Sequence, residues 1–286
     1  MKKIKKHFLL SVSKDTSHQY GVRFLSYFFQ NKNDVLVDIL NVAHNIQSPG
    51  YSSYGPKKAS SLKNELTFLE EVKQKMVDFG FPGENIRAES RQSSISTVRD
   101  IIAYGRKGLY DSLILGRRGL TLLENLIQDS VSSRILDEQC DIPIWICREP
   151  ERHKKHLLLC TDGSQQSLNT ADHVGFVMGA APENNVTVVH VRSRKNSVDE
   201  QEVFDKTISH IMENGFSRDR ISTLTLEGDN AARVILDHAG KNNFAVIAMG
   251  RKCQTAPRTG LARFFVGSVS GEVLNKLEGA SLWICK

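Results

Sequence analysis

No apolar run in this 286-residue chain approaches the roughly 20 residues a helix needs to cross a bilayer, so no membrane partner is expected. The five cysteines, Cys140, Cys147, Cys160, Cys253 and Cys285, form no close pair with metal-ligand spacing. Three of them fall in apolar runs that read as buried strands, so reduced thiols in a cytoplasmic protein are expected, with no metal site. There is no Walker loop with its lysine, no Ser or Cys with an evident His base and no close pair of carboxylates, so no catalytic residue is assigned. Charge of one sign is also missing from either half. The formal charge is +6, with 21 basic and 17 acidic residues up to Pro150 and 17 against 15 beyond it. A dedicated nucleic-acid-binding half is therefore not expected. The opening "MKKIKKHFLLSVSKD" is basic, as a secretory signal is, but its apolar segment is too short for one and reads as the start of a strand.

What the chain does contain is itself, twice. "KKHFLLSVSKD" from Lys5 matches "KKHLLLCTDGS" from Lys154, "YDSLILGRRG" from Tyr110 matches "NFAVIAMGRK" from Asn243, and "IPIWIC" from Ile142 matches "ASLWIC" from Ala280. The order is the same in both halves, as a tandem duplication requires. The expected domains are residues 1–149 and 153–286, joined by the short charged stretch "REPERHKK".

Within the second copy the hydrophobic period alternates. "HLLLCTD", "NVTVVHV", "RISTLTLEG", "FAVIAMG" and "SLWIC" read as short buried strands. "SLNTADHVGFVMGA", Val203 to Asn214, "NAARVILDHAGK" and the run after "GSVS" read as helices. The first copy repeats the scheme, with strands near His7–Val12, Asp34–Val42, Ile86–Glu89, Ser112–Leu115 and Ile142–Cys147. Its main addition is a Gly-, Pro-, Ser- and Tyr-rich loop, "NIQSPGYSSYGPKKAS", ahead of a long helix ending near Phe79. Five strands alternating with helices imply an α/β fold, a parallel sheet with helices on both faces, made twice.

Ligands of such sheets bind beyond the carboxyl ends of the strands, where strand order reverses. With the first and fourth strands as central neighbours, that crevice in the second copy is bounded by Thr161, Asp162, Gly163 and Ser164 after one strand and Met249, Gly250, Arg251 and Lys252 after the other. His190 and Val191 end the second strand. "FVGSVSG", Phe265 to Gly271, opens a helix into the same space. Gly267 permits close backbone approach, Ser268 and Ser270 offer hydroxyls, and the first-turn amides with about half a positive charge suit a phosphate. Arg258 and Arg263 add positive potential, and Asp162 can hold an adenine or ribose donor. Taken singly, each residue has a bland reading as a helix cap or a solvated charge, and only their convergence on one crevice favours a ligand.

The pieces "LLLCTDGS", "VTVVHV", "EGDNAARVILDHAGKNNFAVIAMGRK", "TGLARFFVGSVSGEVL" and "SLWIC" resemble the universal stress protein (UspA) family, as a tandem two-domain member. The resemblance implies two copies of a five-stranded, adenine-nucleotide alpha-hydrolase-like (Rossmann-like) domain. It implies ATP or another adenine nucleotide as ligand, with Mg, held through a G-x2-G-x9-G-[ST] loop. Asp162 and Val191 then lie at the base, and Gly250, Gly267, Ser268, Val269 and Ser270 at ribose and phosphates.

Both copies depart from the pattern. In the second, Cys253 replaces the middle glycine, the loop to Gly267 is about four residues longer, and Gly260 lies within it. In the first, Gly116 and Gly119 keep their spacing to Ser130, but Asp129 replaces the last glycine and Ser13 replaces the first-strand Asp. A degenerate first site is expected, because a carboxylate there repels a polyphosphate. Single-domain members commonly dimerise through the last strand, so an intramolecular pseudo-dimer with "WIC" beside "WIC" is implied, with further homodimerisation left open. The function expected is nucleotide binding in the second domain, acting in stress response through an unidentified regulatory protein partner. A nucleotide-free scaffold and a slow ATPase are the alternatives.

Overall fold

The computed structural model describes residues 5–14, 19–43, 56–94, 97–116, 141–179, 181–193, 198–251 and 268–286. The first half supplies β1 (Lys6–Val12), β2 (Val35–Ala43), β3 (Ile86–Gln92), β4 (Ser112–Leu115) and β5 (Ile144–Cys147), with α1 (Tyr20–Phe28), α2 (Pro56–Asp78) and α3 (Thr97–Lys107). The second supplies β6 (His156–Cys160), β7 (Val186–Arg192), β8 (Ile221–Glu227), β9 (Phe244–Gly250) and β10 (Ser281–Cys285). Its helices are α4 (Gln165–Met178), α5 (Glu200–Glu213), α6 (Ala231–Lys241) and α7 (Ser268–Lys276).

All ten strands form one sheet in the order β3-β2-β1-β4-β5-β10-β9-β6-β7-β8. Pairing is parallel within each half, and the halves meet where β5 and β10 run antiparallel. The central strands are apolar along their whole length because both faces are covered. Leu157 and Leu159 of β6 face a core shared with Val174 of α4 and Ile208 of α5, while Leu158 faces one shared with Ile235 of α6 and Val273 of α7. Local chemistry fixes the helix starts. Asp199 accepts from the amides of Gln201 at 3.0 Å and Glu202 at 3.2 Å ahead of α5, and Asn230 accepts from Arg233 N at 2.9 Å ahead of α6.

The junction is aromatic. Trp145 and Trp283 are register partners, both fully buried, with rings 3.9 Å apart and 3° from parallel. Phe24 of α1 meets Trp283 edge-on at 6.4 Å, and His173 of α4 meets Trp145 edge-on at 5.9 Å. Carrying the Lys5–Lys154 repeat onward puts Phe24 and His173 at equivalent positions, so the pseudo-twofold is broken chemically at one point. Trp145 Nε1 donates to His173 Nε2 at 3.1 Å, and the Ser112 hydroxyl lies 3.2 Å from the same nitrogen. Trp283 Nε1, facing a phenyl ring instead, is buried without a hydrogen bond.

Several boundaries differ from the sequence expectation, and three of them bear on the fold and the site. β5 begins at Ile144, not Ile142, since Pro143 has no N–H to give a ladder. α2 begins at Pro56, inside the segment expected to be loop, where proline's fixed φ suits a first helical position. α7 begins at Ser268, so "SVS" is the first turn of the helix and does not precede it. The rest of the long loop, 44–55, and the first-half segment 117–140 between β4 and β5 lie outside the described residues.

Candidate functional site

The C-terminal ends of β6 and β9 are side by side, with Cys160 opposite Met249, and β6 passes β7 on its other flank. Strand order therefore reverses between β6 and β9, as expected, and a crevice opens beyond their ends. The chain leaves β6 through four residues with distinct duties. Thr161 is buried; its Oγ1 lies 2.9 Å from Thr207 Oγ1, donates to Ser167 Oγ at 3.2 Å and accepts from Gly163 N at 3.3 Å. That hydroxyl ties β6 to α4 and α5. Asp162 is exposed, and its carboxylate accepts from the amide of Ser164 at 3.0 Å and from the Ser164 hydroxyl, closing a local turn. Gly163 has φ +74°, and a Cβ there would come within 3.0 Å of Val203, so glycine is required on both counts.

On the other wall Met249 is buried, and Gly250 lets the end of β9 approach the first turn of α4. A Cβ at Gly250 would lie 2.6 Å from Gln166 C and 2.7 Å from Ser167 N, both backbone atoms. Packing alone thus accounts for this glycine, which the sequence had assigned to ribose and phosphates. Gly250→Ala is expected to destabilise the protein by about 1–3 kcal/mol, read as a lower urea midpoint with an unchanged slope. Arg251 follows, buried, its amide donating to Cys285 O at 2.7 Å.

Ser268, Val269 and Ser270 form the first turn of α7; Val269 packs half-buried on the core and Ser270 is buried. Gly267, Lys252, Cys253, Arg258, Gly260 and Arg263 lie outside the described residues, as do Gly119, Asp129 and Ser130 of the first copy. At the base, Val191 is half-buried against the α6-side core. His190 is buried, with Nδ1 2.9 Å from the carbonyl of Thr161, which can only accept, so Nδ1 carries the proton and the ring braces the end of β6.

One arrangement was not foreseen from the sequence. Glu200, at the start of α5, accepts from Thr225 Oγ1 of β8 at 2.9 Å and pairs with Arg192 at the end of β7, which also reaches Glu227 at 3.0 Å. These hydrogen bonds, led by the Arg192 guanidinium, hold the Glu200 carboxyl down to about 2. The strand registers make Ser90 of β3 the counterpart of Thr225, and Ser90 Oγ donates to Glu65 of α2 at 2.9 Å. The acid–hydroxyl pair is therefore duplicated, but its cation is not. In the first half it is Lys14, 3.6 Å from Glu65, and Lys14 stands where the second half has Gly163.

The site offers little for covalent chemistry. Burial pushes the Cys160 thiol up to about 12, leaving it a neutral thiol at physiological pH. Among the described residues no three His, Cys, Asp or Glu side chains gather as metal ligands, and no helix is long and apolar enough to cross a membrane.

Residues 154–280 match the model of the Universal stress protein family. A universal stress protein from Archaeoglobus fulgidus DSM 4304 superposes with a TM-score of 0.67 at 17% identity, over 99% of this chain and 97% of that one. A functionally unknown protein from Pseudomonas aeruginosa PAO1 gives 0.56 at 16%, over 99% and 93%. At such identities the two show a shared fold. No curated protein matches the chain in sequence. The second half therefore carries a universal stress protein domain, and the first half repeats its strand order.

Proposed function

We propose that residues 153–286 form a domain that binds ATP or a related adenine nucleotide, and that residues 1–149 form a domain whose own site has degenerated. The observation that carries this reading is the reversal of strand order between β6 and β9, whose ends lead into Asp162 and Arg251. The residues suit such a ligand. Asp162 is an exposed acceptor for adenine or ribose donors, and the start of α7 has the positive end of a helix dipole, which suits phosphates, with or without Mg. Thr161, Met249 and Gly250 shape the walls, while Gly267, Ser268, Val269 and Ser270 meet the ribose and phosphates. In the first half, Asp129 in place of the pattern's last glycine opposes a polyphosphate, and Lys14 stands where the second half has Gly163.

Nucleotide occupancy would act in a cytoplasmic stress response by altering the binding of a regulatory protein partner. The test begins with denaturing the purified protein and identifying any adenine nucleotide released. ATP is then titrated into wild type, Asp162→Ala and Ser268→Asp. Loss of a hydrogen bond to a charged group should weaken binding about ten- to a hundredfold in Asp162→Ala. A carboxylate about 4 Å from a phosphate costs roughly 4 kcal/mol near a surface, enough to abolish measurable binding by Ser268→Asp. A wild type that binds no adenine nucleotide overturns the proposal, and sustained hydrolysis would make the protein an enzyme.

A further inference from the structure

α7 has two ends in two different places. Its first turn is the end assigned to phosphate in the nucleotide site proposed above, and its last turn is held by the first half of the chain. Because the helix stops at Lys276, the carbonyl of Leu274 has no intrahelical donor. Arg148, the residue directly after β5, fills that vacancy through Nη2 at 2.9 Å. A guanidinium at this end also complements the negative pole of the helix. Between its two ends α7 packs Val273 and Leu274 into the core that contains Ile144 and Ile146 of β5. Trp145 lies between those two isoleucines, with its side chain on the opposite face of the strand and stacked on Trp283.

We propose that Arg148 is a positioning residue for the nucleotide site of the other half, and that occupancy at the start of α7 is passed through the helix to the tryptophan stack. The inference rests on the nucleotide reading above. It gives the first domain a duty despite its degenerate site: it holds the far end of the helix whose near end grips phosphate. Lys286, the counterpart of Arg148 after β10, pairs with Asp141 at 3.1 Å.

The chain contains two tryptophans, both in this stack, so intrinsic emission reports on the junction alone. ATP with Mg is titrated into the full-length protein, following binding by calorimetry and the junction by tryptophan emission. Wild type should show an emission change with the same midpoint as the heat. Arg148→Met, which keeps the apolar stem, should bind about tenfold more weakly and lose the emission change at saturation, and Arg148→Lys should restore part of both. Wild-type heat without an emission change overturns the relay and leaves nucleotide binding standing. Wild-type affinity and emission response in Arg148→Met overturns the role of Arg148. Absence of any heat in wild type overturns both this inference and the nucleotide reading beneath it.

Discussion

Trp283→Ala is expected to lower the stability of the whole chain by about 3–5 kcal/mol, the range for truncating a large buried aromatic whose cavity cannot collapse. The site gives little room for relaxation. The ring is fully buried, lies 3.9 Å from Trp145 and is bordered by Phe24 at 6.4 Å and Phe28 at 5.6 Å. An aromatic pair contributes about 0.5–1.5 kcal/mol beyond its buried area, so the variant also weakens the β5–β10 pairing that joins the halves strand to strand. Chemical denaturation should therefore change in shape as well as midpoint. Wild type is expected to unfold in a single step, and Trp283→Ala in two, as each half loses its partner. A single transition with an unchanged midpoint would show that the stack contributes nothing.

Acid should act on the same junction through His173. Burial drives its imidazole down from 6.5 to about 3, with no compensating charge contributing to the shift. In the window between those values the unfolded chain binds a proton that the folded chain does not. Stability therefore rises with pH across the window, and it falls as pH is lowered from about 6.5 until the folded histidine itself protonates near 3. At about 1.4 kcal/mol per unit, the loss accumulates to about 5 kcal/mol at the bottom of the window. His173→Phe reproduces the residue on the other side of the pseudo-twofold, so its shape is compatible with the site. It removes the acceptor for Trp145 Nε1, which should cost about 1–3 kcal/mol at neutral pH. In exchange it abolishes this part of the acid sensitivity. Urea midpoints measured between pH 7 and pH 4 should converge for the two proteins and then cross, and parallel curves would refute the assignment.

The sequence was informative where one rule acts locally and poor where several elements must meet. The repeat "KKHFLLSVSKD"/"KKHLLLCTDGS" and the apolar runs were sufficient for the strands, because strands buried on both faces leave a continuous hydrophobic signal. The two "WIC" segments, read through the family resemblance, pointed to the pairing of β5 with β10, and the structure adds its antiparallel direction. Gly250 illustrates the limit. As a letter it fits a ligand loop, and the approach of the α4 backbone to 2.6 Å exists only in three dimensions. The same holds for Glu65 and Glu200. Neither carries a local signal, since each is defined by a hydroxyl 25 residues further along the chain on the third strand of its own half. The substitution of Gly163 by Lys14 between the copies was visible in the aligned repeats, but its meaning required the position of Glu65. Phe24 and His173 became a pair only once the tryptophans between them were in place.

The central claim, one working nucleotide site supported by a degenerate copy, is tested most directly by the stoichiometry of labelled ATP in equilibrium dialysis of the full-length chain. The account requires one adenine nucleotide per chain at saturation, displaced by unlabelled adenine nucleotide and lost in Ser268→Asp. Two per chain would contradict the degenerate first site, and none would contradict the account as a whole.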